Sequence, residues 1–339
     1  MHDFLALGSL LSKRAVGLPI SKMSGSRILL TGATGLIGLN VLALLLELRR
    51  QCELDFDLST TSNSPMPYFL DESGLTKNHK IANLAGAVDF SKFGKFDFII
   101  HSGGSAQPRE FMSKKNQTYT INSFATKKLL ELLNPGGHFV FMSSTELYSG
   151  LRTNIFKESD IGISNPSHPR ACYIEGKRAG EMFVGWKIED GFKASSVRLS
   201  YTYGPGTKRN DLRVINELIR SAITLGEVRL QDSGLATRSN LFSIDAAHMI
   251  LQILLSPNRS VYNVASSKTS TILDLAMEVS NFGNVPFQKQ AIGEPINVFA
   301  QDHVAIDTSS YFEDFPYFEE CSIRDGLAIT YNWQRKNLY

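Results

Sequence analysis

Short apolar runs alternate with longer helical segments along much of this 339-residue chain. Runs rich in Val, Ile, Leu and Phe are typical of buried strands, whereas long leucine-rich segments are typical of helices. The pattern predicts strands at Arg27–Leu30, Glu53–Leu58, Phe96–His101, His138–Ser143 and Ala194–Leu199, and helices at Leu36–Arg50, Lys114–Leu133 and Ala171–Trp186. Strands that alternate with helices predict an α/β fold with a doubly wound parallel sheet.

A glycine-rich turn joins the first predicted strand to the first predicted helix. It spans Thr31 to Gly38 and reads TGATGLIG. Glycines permit a tight turn and let backbone N–H groups approach a pyrophosphate at the helix N-terminus. The order of strand, turn and helix is the context that this motif requires. The turn therefore predicts a dinucleotide site, with contacts from Gly32, Thr34, Gly35, Leu36, Ile37 and Gly38.

An acidic residue about 20 positions further on would bind the adenosine ribose. Asp57 is the prediction by distance, with Asp55 as an alternative and a solvated strand-edge carboxylate as a third reading. Arg and Lys are absent from residues 52–76, which argues against a clamp for the 2′-phosphate of NADP and favours NAD. Asp89 is predicted to reach the adenine, and an ordinary surface charge is the alternative.

A tyrosine and a lysine share one face of the predicted helix Ala171–Trp186. Tyr173 and Lys177 are four residues apart, which places their side chains together. A tyrosine has a pKa near ~10 and is a poor base at neutral pH. A neighbouring ammonium group stabilises the phenolate and lowers that pKa. The pair can then remove a proton from a substrate hydroxyl while hydride leaves the same carbon.

A tyrosine and a lysine at this spacing are common in helices. The spacing therefore indicates an active site only together with other motifs. Upstream, the strand His138–Ser143 continues into Ser144, Thr145 and Glu146. Ligands gather at the carboxyl ends of parallel strands, although a capping role for Ser144 or Thr145 is the alternative. The glycine turn, the polar strand end and the Tyr–Lys pair together predict an active site.

The bulk composition excludes several classes of protein. Hydrophobic content of 42% and charge of 20% are typical of globular proteins. A formal net charge of +2 favours neither a nucleic acid nor an anionic membrane surface as a partner. The three cysteines fit no metal spacing and suggest a reduced compartment. We therefore expect a cytoplasmic protein with no metal, no nucleic acid and no membrane partner.

These motifs resemble the extended short-chain dehydrogenase/reductase family of sugar-nucleotide epimerases, dehydratases and decarboxylases. The resemblance covers Arg27 to Trp333. Its marks are the glycine turn, His101–Pro108, Ser143–Tyr148, Tyr173-x-x-x-Lys177, Arg198–Pro205, Thr237–Arg238 and Val261–Val264. The stretch Arg170–Arg178, RACYIEGKR, is most similar to UDP-glucuronate decarboxylases. The resemblance implies a nucleotide-sugar substrate and a tightly held NAD that is recycled within one turnover.

The resemblance also implies a domain organisation. We expect an N-terminal extension at 1–26, an NAD-binding Rossmann domain at 27–203, and mainly a smaller C-terminal substrate-binding lobe at 204–339, with segments near 239–264 returning to the Rossmann domain. A homodimer is implied as well. In it, the helices Lys114–Leu133 and Ala171–Trp186 pair as a four-helix bundle, with apolar contributions from Phe183, Val184 and Trp186.

Individual roles follow from the same resemblance. Tyr173 would take the proton of the sugar 4-hydroxyl, while Lys177 holds the nicotinamide ribose and Ser144 bonds the 4-oxygen. Glu146 would act near C5. The resemblance adds Ser102 and Gly103 to the cofactor site, and it assigns the substrate side to Thr145, Tyr201, Arg213 and Arg238.

The chain departs from the family at several positions. Tyr201 stands where many relatives have an asparagine that touches the diphosphate, and Leu212, Ser149 and Ala125 replace frequent glycines. Glu146 argues against a simple 4-epimerase, while Thr145, in place of the aspartate of many 4,6-dehydratases, favours decarboxylation. The prediction is a UDP-glucuronate decarboxylase-like lyase. The enzymatic alternative is a 4,6-dehydratase or an epimerase, and the non-enzymatic alternative is an NAD-binding sensor protein. The sequence does not determine the nucleotide base or the sugar.

Overall fold

The computed structural model describes residues 7, 10–11, 13, 17–67, 78–86, 88–230, 232–289 and 303–339. The strands span β1 Arg27–Thr31, β2 Asp57–Ser62, β3 His79–Ile81, β4 Phe96–His101, β5 Leu133–Ser144, β6 Ile155–Phe156, β7 Lys193–Leu199, β8 Thr202–Tyr203, β9 Val228–Leu230, β10 Thr237–Arg238, β11 Leu241–Phe242, β12 Val261–Val264, β13 Ser270–Thr271, β14 Phe287–Lys289 and β15 His303–Ile306. The α-helices span α1 Leu36–Cys52, α2 Pro108–Ser113, α3 Lys115–Asn122, α4 Phe124–Leu130, α5 Ala171–Glu189, α6 Val214–Leu225, α7 Ser243–Leu255, α8 Ile272–Gly283, α9 Ser309–Asp314 and α10 Ile323–Asn337.

A seven-stranded sheet forms the centre of the molecule. Its strand order is β12-β7-β5-β4-β1-β2-β3, and every neighbouring pair is parallel. The order of the strands from β3 through β5 is that of a Rossmann sheet, in which the chain winds outward in both directions from β1. The predicted doubly wound parallel sheet is confirmed.

Both faces of this sheet are buried. Side chains alternate along β1, so Ile28 and Leu30 join an apolar cluster that includes α1 and α7. Leu29 points the other way, into a second cluster with Phe139 of β5 and Leu129 of α4. Strands that are covered on both sides are apolar almost throughout, which is why their pattern was readable from the sequence.

The second strand lies further along the chain than the sequence predicted. The alternation at Glu53–Leu58 predicted a strand, but β2 runs from Asp57 to Ser62. The end of β2 is made of threonine and serine, and Thr60, Thr61 and Ser62 are buried. Threonine suits a strand, but a hydrophobicity pattern does not register it. The shift moves Asp57 from the end of the strand to its beginning.

The predicted helix Lys114–Leu133 is broken near its middle. Helix α3 ends at Asn122, and α4 begins at Phe124. Between them, Ser123 has φ −112° and ψ −82°, outside the helical region. The Ser123 hydroxyl donates to the Tyr119 carbonyl at 2.6 Å. Such bonds from a hydroxyl back to the preceding turn bend helices.

The chain after β7 builds smaller sheets and then returns. A four-stranded sheet has the order β13-β10-β15-β6, and two-stranded sheets pair β11 with β8 and β14 with β9. β12 then pairs with β7 at the edge of the central sheet. β5 and β7 are neighbours in the central sheet. Polar side chains that follow these two strands therefore lie beside one another, close to the small sheets.

The described part of the N-terminal segment packs against the body. Leu11 and Met23 are fully buried, and the Lys22 ammonium donates to the Leu255 carbonyl at the end of α7 at 2.7 Å. The rest of the predicted extension 1–26 lies outside the described residues. Within the part of the chain that the structure covers, no helix is long and apolar enough to cross a membrane.

Candidate active site

The polar strand end predicted from the sequence lies at the carboxyl edge of the central sheet. β5 and β7 run in register, with Ser144 opposite Leu199. Ser144 is followed by a helical turn, Thr145–Tyr148, and its hydroxyl accepts the Glu146 N–H at 3.2 Å. Ser144 thus has the capping role that the sequence left as an alternative. The Ser144 hydroxyl is also close enough to Tyr173 to favour ionisation of that phenol, so one side chain both shapes the turn and acts on the tyrosine.

Helix α5 brings Tyr173 and Lys177 to this strand end. The Tyr173 ring stacks on Phe111, with centroids 4.6 Å apart and planes inclined by 13°. The Lys177 ammonium lies 5.6 Å from the centre of the Tyr173 ring and donates to the Met142 carbonyl of β5. Both side chains are buried. The structure therefore places a phenol, an ammonium and the Ser144 hydroxyl within one small volume.

Burial dominates the ionisation of this pair. It raises the pKa of Tyr173 to about 12, against an opposing hydrogen bond from Ser144. It lowers the pKa of Lys177 to about 7, opposed by the negative charge of Glu181. The sequence led us to expect Lys177 to lower the pKa of Tyr173, and this structure gives the opposite direction. The physical reason is that withdrawal from water penalises the phenolate more than its neighbours stabilise it.

Two glycines allow α5 to pack closely against α3 and β5. A Cβ on Gly180 would lie 2.4 Å from the Asn122 carbonyl oxygen and 2.4 Å from the Phe141 ring. A Cβ on Gly176 would lie 3.3 Å from the Tyr119 Cα. The helix can therefore approach α3 and β5 closely only because these positions carry no side chain. That close approach fixes where the Tyr173 and Lys177 side chains begin.

An ion pair faces the tyrosine from the helical turn after β5. An Arg170 Nη atom lies 2.7 Å from a carboxylate oxygen of Glu146, and both side chains are about one-fifth exposed. Arg170 immediately precedes α5. The sequence placed Arg170 only within a family motif and did not predict its contact with Glu146. The pair joins the strand end to the start of α5.

The predicted substrate-side residues surround the same point. Tyr201 is 41% exposed, but the protein around its hydroxyl withdraws that group from water and raises its pKa, and the charges of Glu146, Arg238 and Arg170 are close enough to act on it. The Arg238 guanidinium lies 5.7 Å from the centre of the Tyr201 ring. This contact links the small sheet that contains β10 to the carboxyl end of β7. Arg238 and Arg170 thus lie around Tyr201 together with the carboxylate of Glu146.

Two further predicted substrate residues are engaged by the protein itself. The Arg213 Nε atom lies 3.0 Å from both carboxylate oxygens of Asp211, which holds the guanidinium at the start of α6. Arg213 is nevertheless close enough to affect the ionisation of Tyr173. The Thr145 hydroxyl donates to the Leu199 carbonyl at 3.4 Å. Its hydrogen is therefore directed at β7.

The glycine turn fits a dinucleotide. Gly32 has φ +69°, and a Cβ there would lie 2.4 Å from the Ser102 carbonyl oxygen. A Cβ on Gly38 would lie 2.2 Å from the Gly32 carbonyl oxygen. α1 then begins at Leu36 with no side-chain cap, so its first N–H groups are available to an anion. The turn has the shape and the donors that a pyrophosphate requires.

The end of β4 forms the wall of this turn. The Ser102 hydroxyl donates to the Thr31 carbonyl at 2.6 Å, and the Gly103 N–H donates to the Thr31 hydroxyl at 3.2 Å. Gly103 has Thr31 Oγ1 and His101 within 3.3 Å of where its Cβ would be. The two predicted cofactor residues Ser102 and Gly103 thus line the loop, although their first contacts are to the protein.

Of the two acids predicted to contact the cofactor, Asp57 lies away from the glycine turn, and Asp89 is engaged by its own helical turn. Asp57 begins β2 beside Arg27, at the amino edge of the sheet, whereas the glycine turn follows the carboxyl end of β1. Its carboxylate pairs with Arg27 at 3.5 Å and is 46% exposed. Asp89 caps the helical turn Phe90–Phe93 and accepts the Ser91 N–H at 3.1 Å. The error for Asp57 follows from the shift of β2, whereas the contact of Asp89 with the adenine stays a prediction.

Among the described residues, no group of three or more His, Cys, Asp or Glu side chains is placed to hold a metal ion. The polar side chains at the strand ends are instead hydroxyls, guanidinium groups and one carboxylate. This set is suited to binding anions and moving protons at a hydroxyl group.

Comparison with known proteins identifies the class. The sequence profile of the NAD dependent epimerase/dehydratase family matches residues 28–265. This span includes the glycine turn, the end of β5 and the Tyr173–Lys177 pair. The chain belongs to that family, as its motifs predicted.

Individual relatives share this class at low sequence identity. UDP-glucuronic acid decarboxylase 1 of Xenopus tropicalis is 24% identical over 283 residues, which are 81% of this chain and 66% of that protein. UDP-glucuronic acid decarboxylase 6 of Arabidopsis thaliana is 25% identical over 261 residues, 76% of this chain and 74% of that protein. The solved structure of MoeE5 in complex with UDP-glucose and NAD superposes with a TM-score of 0.74 at 19% identity, over 93% of this chain and 100% of that one. These likenesses support the fold and the resemblance to decarboxylases.

Proposed function

We propose that this chain is an NAD-dependent enzyme that oxidises C4 of a nucleotide sugar and releases CO2 from C6, as a UDP-glucuronate decarboxylase does. The observation that carries the proposal is the meeting of Tyr173, Ser144 and Lys177 beside the Glu146–Arg170 pair at one strand end. The family match and the decarboxylases among the relatives support it.

The cofactor site would use the glycine turn and the ends of two strands. Backbone N–H groups between Gly32 and Gly38 would hold the pyrophosphate, Ser102 and Gly103 would line the loop, and Lys177 would bind the nicotinamide ribose. The first turn of α1, with Thr34, Gly35, Leu36 and Ile37, supplies the donors. When bound, the nicotinamide supplies the acceptor for the hydride that leaves C4.

Oxidation at C4 removes hydride from the carbon and a proton from its hydroxyl, and Tyr173 would accept the proton. The phenolate form of Tyr173 would take the proton of the 4-hydroxyl, with Ser144 hydrogen-bonded to the same oxygen. Since burial holds Tyr173 protonated at neutral pH, the site needs a positive charge beside the phenol. Lys177 supplies it when protonated, and its lowered pKa of about 7 leaves it able to exchange a proton near neutral pH.

The decarboxylation step uses the 4-keto group as the electron acceptor. The C5–C6 bond breaks and CO2 leaves. The electron pair of that bond moves toward the 4-keto oxygen. C5 then takes a proton. Reduction of the 4-keto carbon by the hydride, with the proton of Tyr173 returned to the 4-oxygen, would restore the 4-hydroxyl and give a nucleotide sugar without the C6 carboxylate. We assign Glu146 to the proton transfer at C5. Arg170, Arg238 and Arg213 would bind the diphosphate and the sugar carboxylate, with Tyr201 stacked on Arg238.

Thr145 favours decarboxylation over dehydration. A dehydratase needs an acid that protonates the departing hydroxyl, and Thr145 occupies the position next to Ser144 where such an acid would stand. Its hydroxyl donates to the Leu199 carbonyl, so its hydrogen is engaged within the protein. We also propose a homodimer, since Phe124 of α4 and Trp186 of α5 are exposed aromatic residues. We propose a cytoplasmic location because Cys52, Cys172 and Cys321 are free thiols, as expected in a reducing compartment.

Mass spectrometry of the reaction products tests the proposal. The purified protein is incubated with UDP-glucuronate and with a panel of other UDP-, dTDP-, GDP- and CDP-sugars. Loss of CO2 from UDP-glucuronate is the expected result. Loss of water from another sugar would identify a dehydratase, and an unchanged mass with inverted stereochemistry an epimerase. Bound NAD with no turnover of any sugar would identify a binding protein.

A further inference from the structure

A buried ion pair lies one helical turn beyond Lys177 on α5. The Glu181 carboxylate accepts the Nε–H of Arg198 at 3.0 Å and one of its Nη–H groups at 2.8 Å. The Glu181 side chain is 13% exposed and that of Arg198 is 12% exposed. A guanidinium that donates at two points to one carboxylate fixes the orientation of both groups. The pair therefore ties α5 to β7 at a defined position.

The same carboxylate holds the strand that ends in the active site. The Ser143 hydroxyl donates to Glu181 at 2.5 Å, and the Lys177 ammonium donates to the carbonyl of Met142, the residue before Ser143. Ser144 is the next residue along the strand. Glu181 and Lys177 thus bind consecutive residues of β5, which keeps the carboxylate and the ammonium at a fixed separation.

Three ionisable side chains face Lys177 from α5 and β4. The centre of the Tyr173 ring lies 5.6 Å from the ammonium. The negative charge of Glu181 opposes the effect of burial on Lys177. From β4, His101 is close enough to feel the charge of Lys177, and burial lowers the pKa of this histidine to about 3. At neutral pH the tyrosine and the histidine are uncharged, so Glu181 is the ionised neighbour among these three.

Other elements packed against α5 add charges that are paired or exposed. Glu146, in the turn after β5, is paired with Arg170 at 2.7 Å. The ionisable residues of α2, α3 and α4 are exposed to solvent, where salt and water screen their charges. These residues are Arg109, Glu110, Lys115, Tyr119, Lys127 and Lys128.

Glu181 also neutralises a permanent positive charge. Arg198 stays protonated at any ordinary pH, and its other hydrogen bonds go to uncharged acceptors, the Tyr148 hydroxyl and the main-chain carbonyl of Glu158. Without the Glu181 carboxylate, an uncompensated guanidinium would lie in the protein interior one helical turn from the Lys177 ammonium. Like charges disfavour each other's charged forms, so Lys177 would give up its proton more readily.

We propose that Glu181 is a positioning residue that acts through Lys177. Its carboxylate, which Arg198 and Ser143 hold in place, keeps Lys177 in the ammonium form beside the Tyr173 phenol. The inference rests on the proposed function, in which this positive charge stabilises the Tyr173 phenolate during oxidation at C4. In this role the Glu181 carboxylate acts on the reaction through Lys177 rather than through a contact of its own.

Direct titration of Lys177 by nuclear magnetic resonance tests this inference without requiring turnover. The Cε atoms of all lysines in the purified protein are labelled with carbon-13, and a Lys177→Arg variant identifies the signal by its loss. In the wild type this signal should titrate near about pH 7, the value to which burial lowers the pKa. In Glu181→Gln it should titrate at least about one pH unit lower, since losing a neighbouring opposite charge shifts a pKa by roughly one to three units.

Two further variants separate charge from packing. Arg198→Gln leaves the carboxylate without its guanidinium and should move the Lys177 midpoint to higher pH, so it also serves if Glu181→Gln fails to fold by circular dichroism. Loosened packing would admit water and raise the midpoint in both variants, whereas the charges predict opposite directions. Glu189→Gln removes a carboxylate from an exposed position on the same helix and is the matched control, which should leave the midpoint unchanged.

The outcomes separate this inference from the proposed function. A Lys177 midpoint at or above the wild-type value in Glu181→Gln, or at or below it in Arg198→Gln, would overturn the inference alone. If the protein turns over a nucleotide sugar, the pH above which kcat/KM falls should move with the midpoint, because Lys177 acts as the ammonium. The expected shifts with no turnover of any nucleotide sugar would support the action of Glu181 on Lys177 and overturn the proposed function.

Discussion

At the scale of single residues, the Tyr173 hydroxyl is the point on which the account depends. It is buried, the Ser144 hydroxyl is close enough to act on its ionisation, and its pKa is raised to about 12. A phenol in that state is a proton donor at neutral pH, and it becomes a base only when a positive charge stabilises the phenolate. Lys177, one helical turn away, is the group that can supply that charge.

Glu146 allows the first chemical step to be separated from the second. Glu146→Gln removes a proton-transfer group near C5 and leaves Tyr173, Ser144 and Lys177 in place. We expect reduced nicotinamide to accumulate in a single turnover, with product formation at least ~100-fold slower, the lower range for loss of an acid–base group. Stopped-flow near-ultraviolet absorbance and quenched-flow product analysis measure the two rates.

The matched control for this variant is Glu110→Gln. Glu110 lies on α2, is about half exposed, and its carboxylate pairs with Lys114 at 3.7 Å. It should behave as wild type in both assays. If Glu146→Gln forms product at the wild-type rate, or fails to reduce the nicotinamide at all, the assignment of Glu146 to the second step is wrong.

Several residues of the site could be predicted because they are close together in the sequence. Ser144, Thr145 and Glu146 are contiguous, and Tyr173 and Lys177 share one helical turn, so local spacing alone brought each set together. The pairing of Arg170 with Glu146 and of His79 with Ser62 joins residues distant in sequence. Such contacts depend on how α5 and β3 dock on the sheet, which no local pattern encodes.

At the scale of elements, the position of helix α5 is set by glycine packing. Gly180→Ala would place a methyl group 2.4 Å from the Asn122 carbonyl oxygen. We expect a loss of about 1–3 kcal/mol in the free energy of unfolding, the usual range for overpacking, together with lower activity as Tyr173 and Lys177 shift. Urea denaturation and steady-state kinetics measure the two effects.

The same helix offers a matched control. A Cβ at Gly185 would have nothing within 4 Å, and alanine is a better helix former than glycine by about 1 kcal/mol. Gly185→Ala should therefore be as stable as wild type or more so, with unchanged activity. Equal stability of the two variants would show that α5 does not depend on close packing at Gly180.

Strand β2 shows why some elements could not be read correctly. The apolar strands were predicted because both faces of the sheet are buried, but the end of β2 is Thr-Thr-Ser and carries little hydrophobic signal. The prediction therefore stopped at Leu58, and Asp57 was assigned to the cofactor. In the structure, β1 pairs with β2 from Asp57 to Thr61. This register corrects both the bounds of the strand and the predicted role of Asp57.

At the scale of the whole molecule, two buried histidines tie stability to pH. Burial lowers the pKa of His101 to about 3 and that of His138 to about 4, below the ordinary 6.5. Between those values the unfolded chain binds protons that the folded chain does not, so stability falls as the pH drops below about 6.5. Each histidine contributes a loss of about 1.4 kcal/mol per pH unit.

Urea denaturation between about pH 7 and about pH 5 measures this dependence. His138 donates from Nδ1 to the Leu254 carbonyl at 2.6 Å, and His138→Gln can keep a donor there without titrating. The variant should show a visibly shallower loss of stability than wild type. A wild-type protein equally stable at both pH values would contradict the assignment of these histidines as neutral and buried.

Exposed aromatic side chains on neighbouring helices predict an assembly of two chains. Phe124 of α4 is 58% exposed and Trp186 of α5 is 50% exposed, and exposed apolar patches of this kind mark protein interfaces. Light scattering should give a dimer for the wild type and a monomer for a variant with Phe124→Glu and Trp186→Glu. Tyr317→Glu, at a position 97% exposed elsewhere, should stay dimeric, and a monomeric wild type would contradict the homodimer.

The central claim is that hydride leaves C4 of the sugar under control of Tyr173. The most direct measurement uses a nucleotide sugar that carries deuterium at C4, taken from the substrate that mass spectrometry identifies, and follows both label and rate. The account predicts that the label passes to the bound nicotinamide, returns to the product, and slows the reaction, and that Tyr173→Phe reduces the transfer at least ~100-fold. Product formed with no isotope effect and no label on the nicotinamide at any time, or near-normal transfer in Tyr173→Phe, would contradict it.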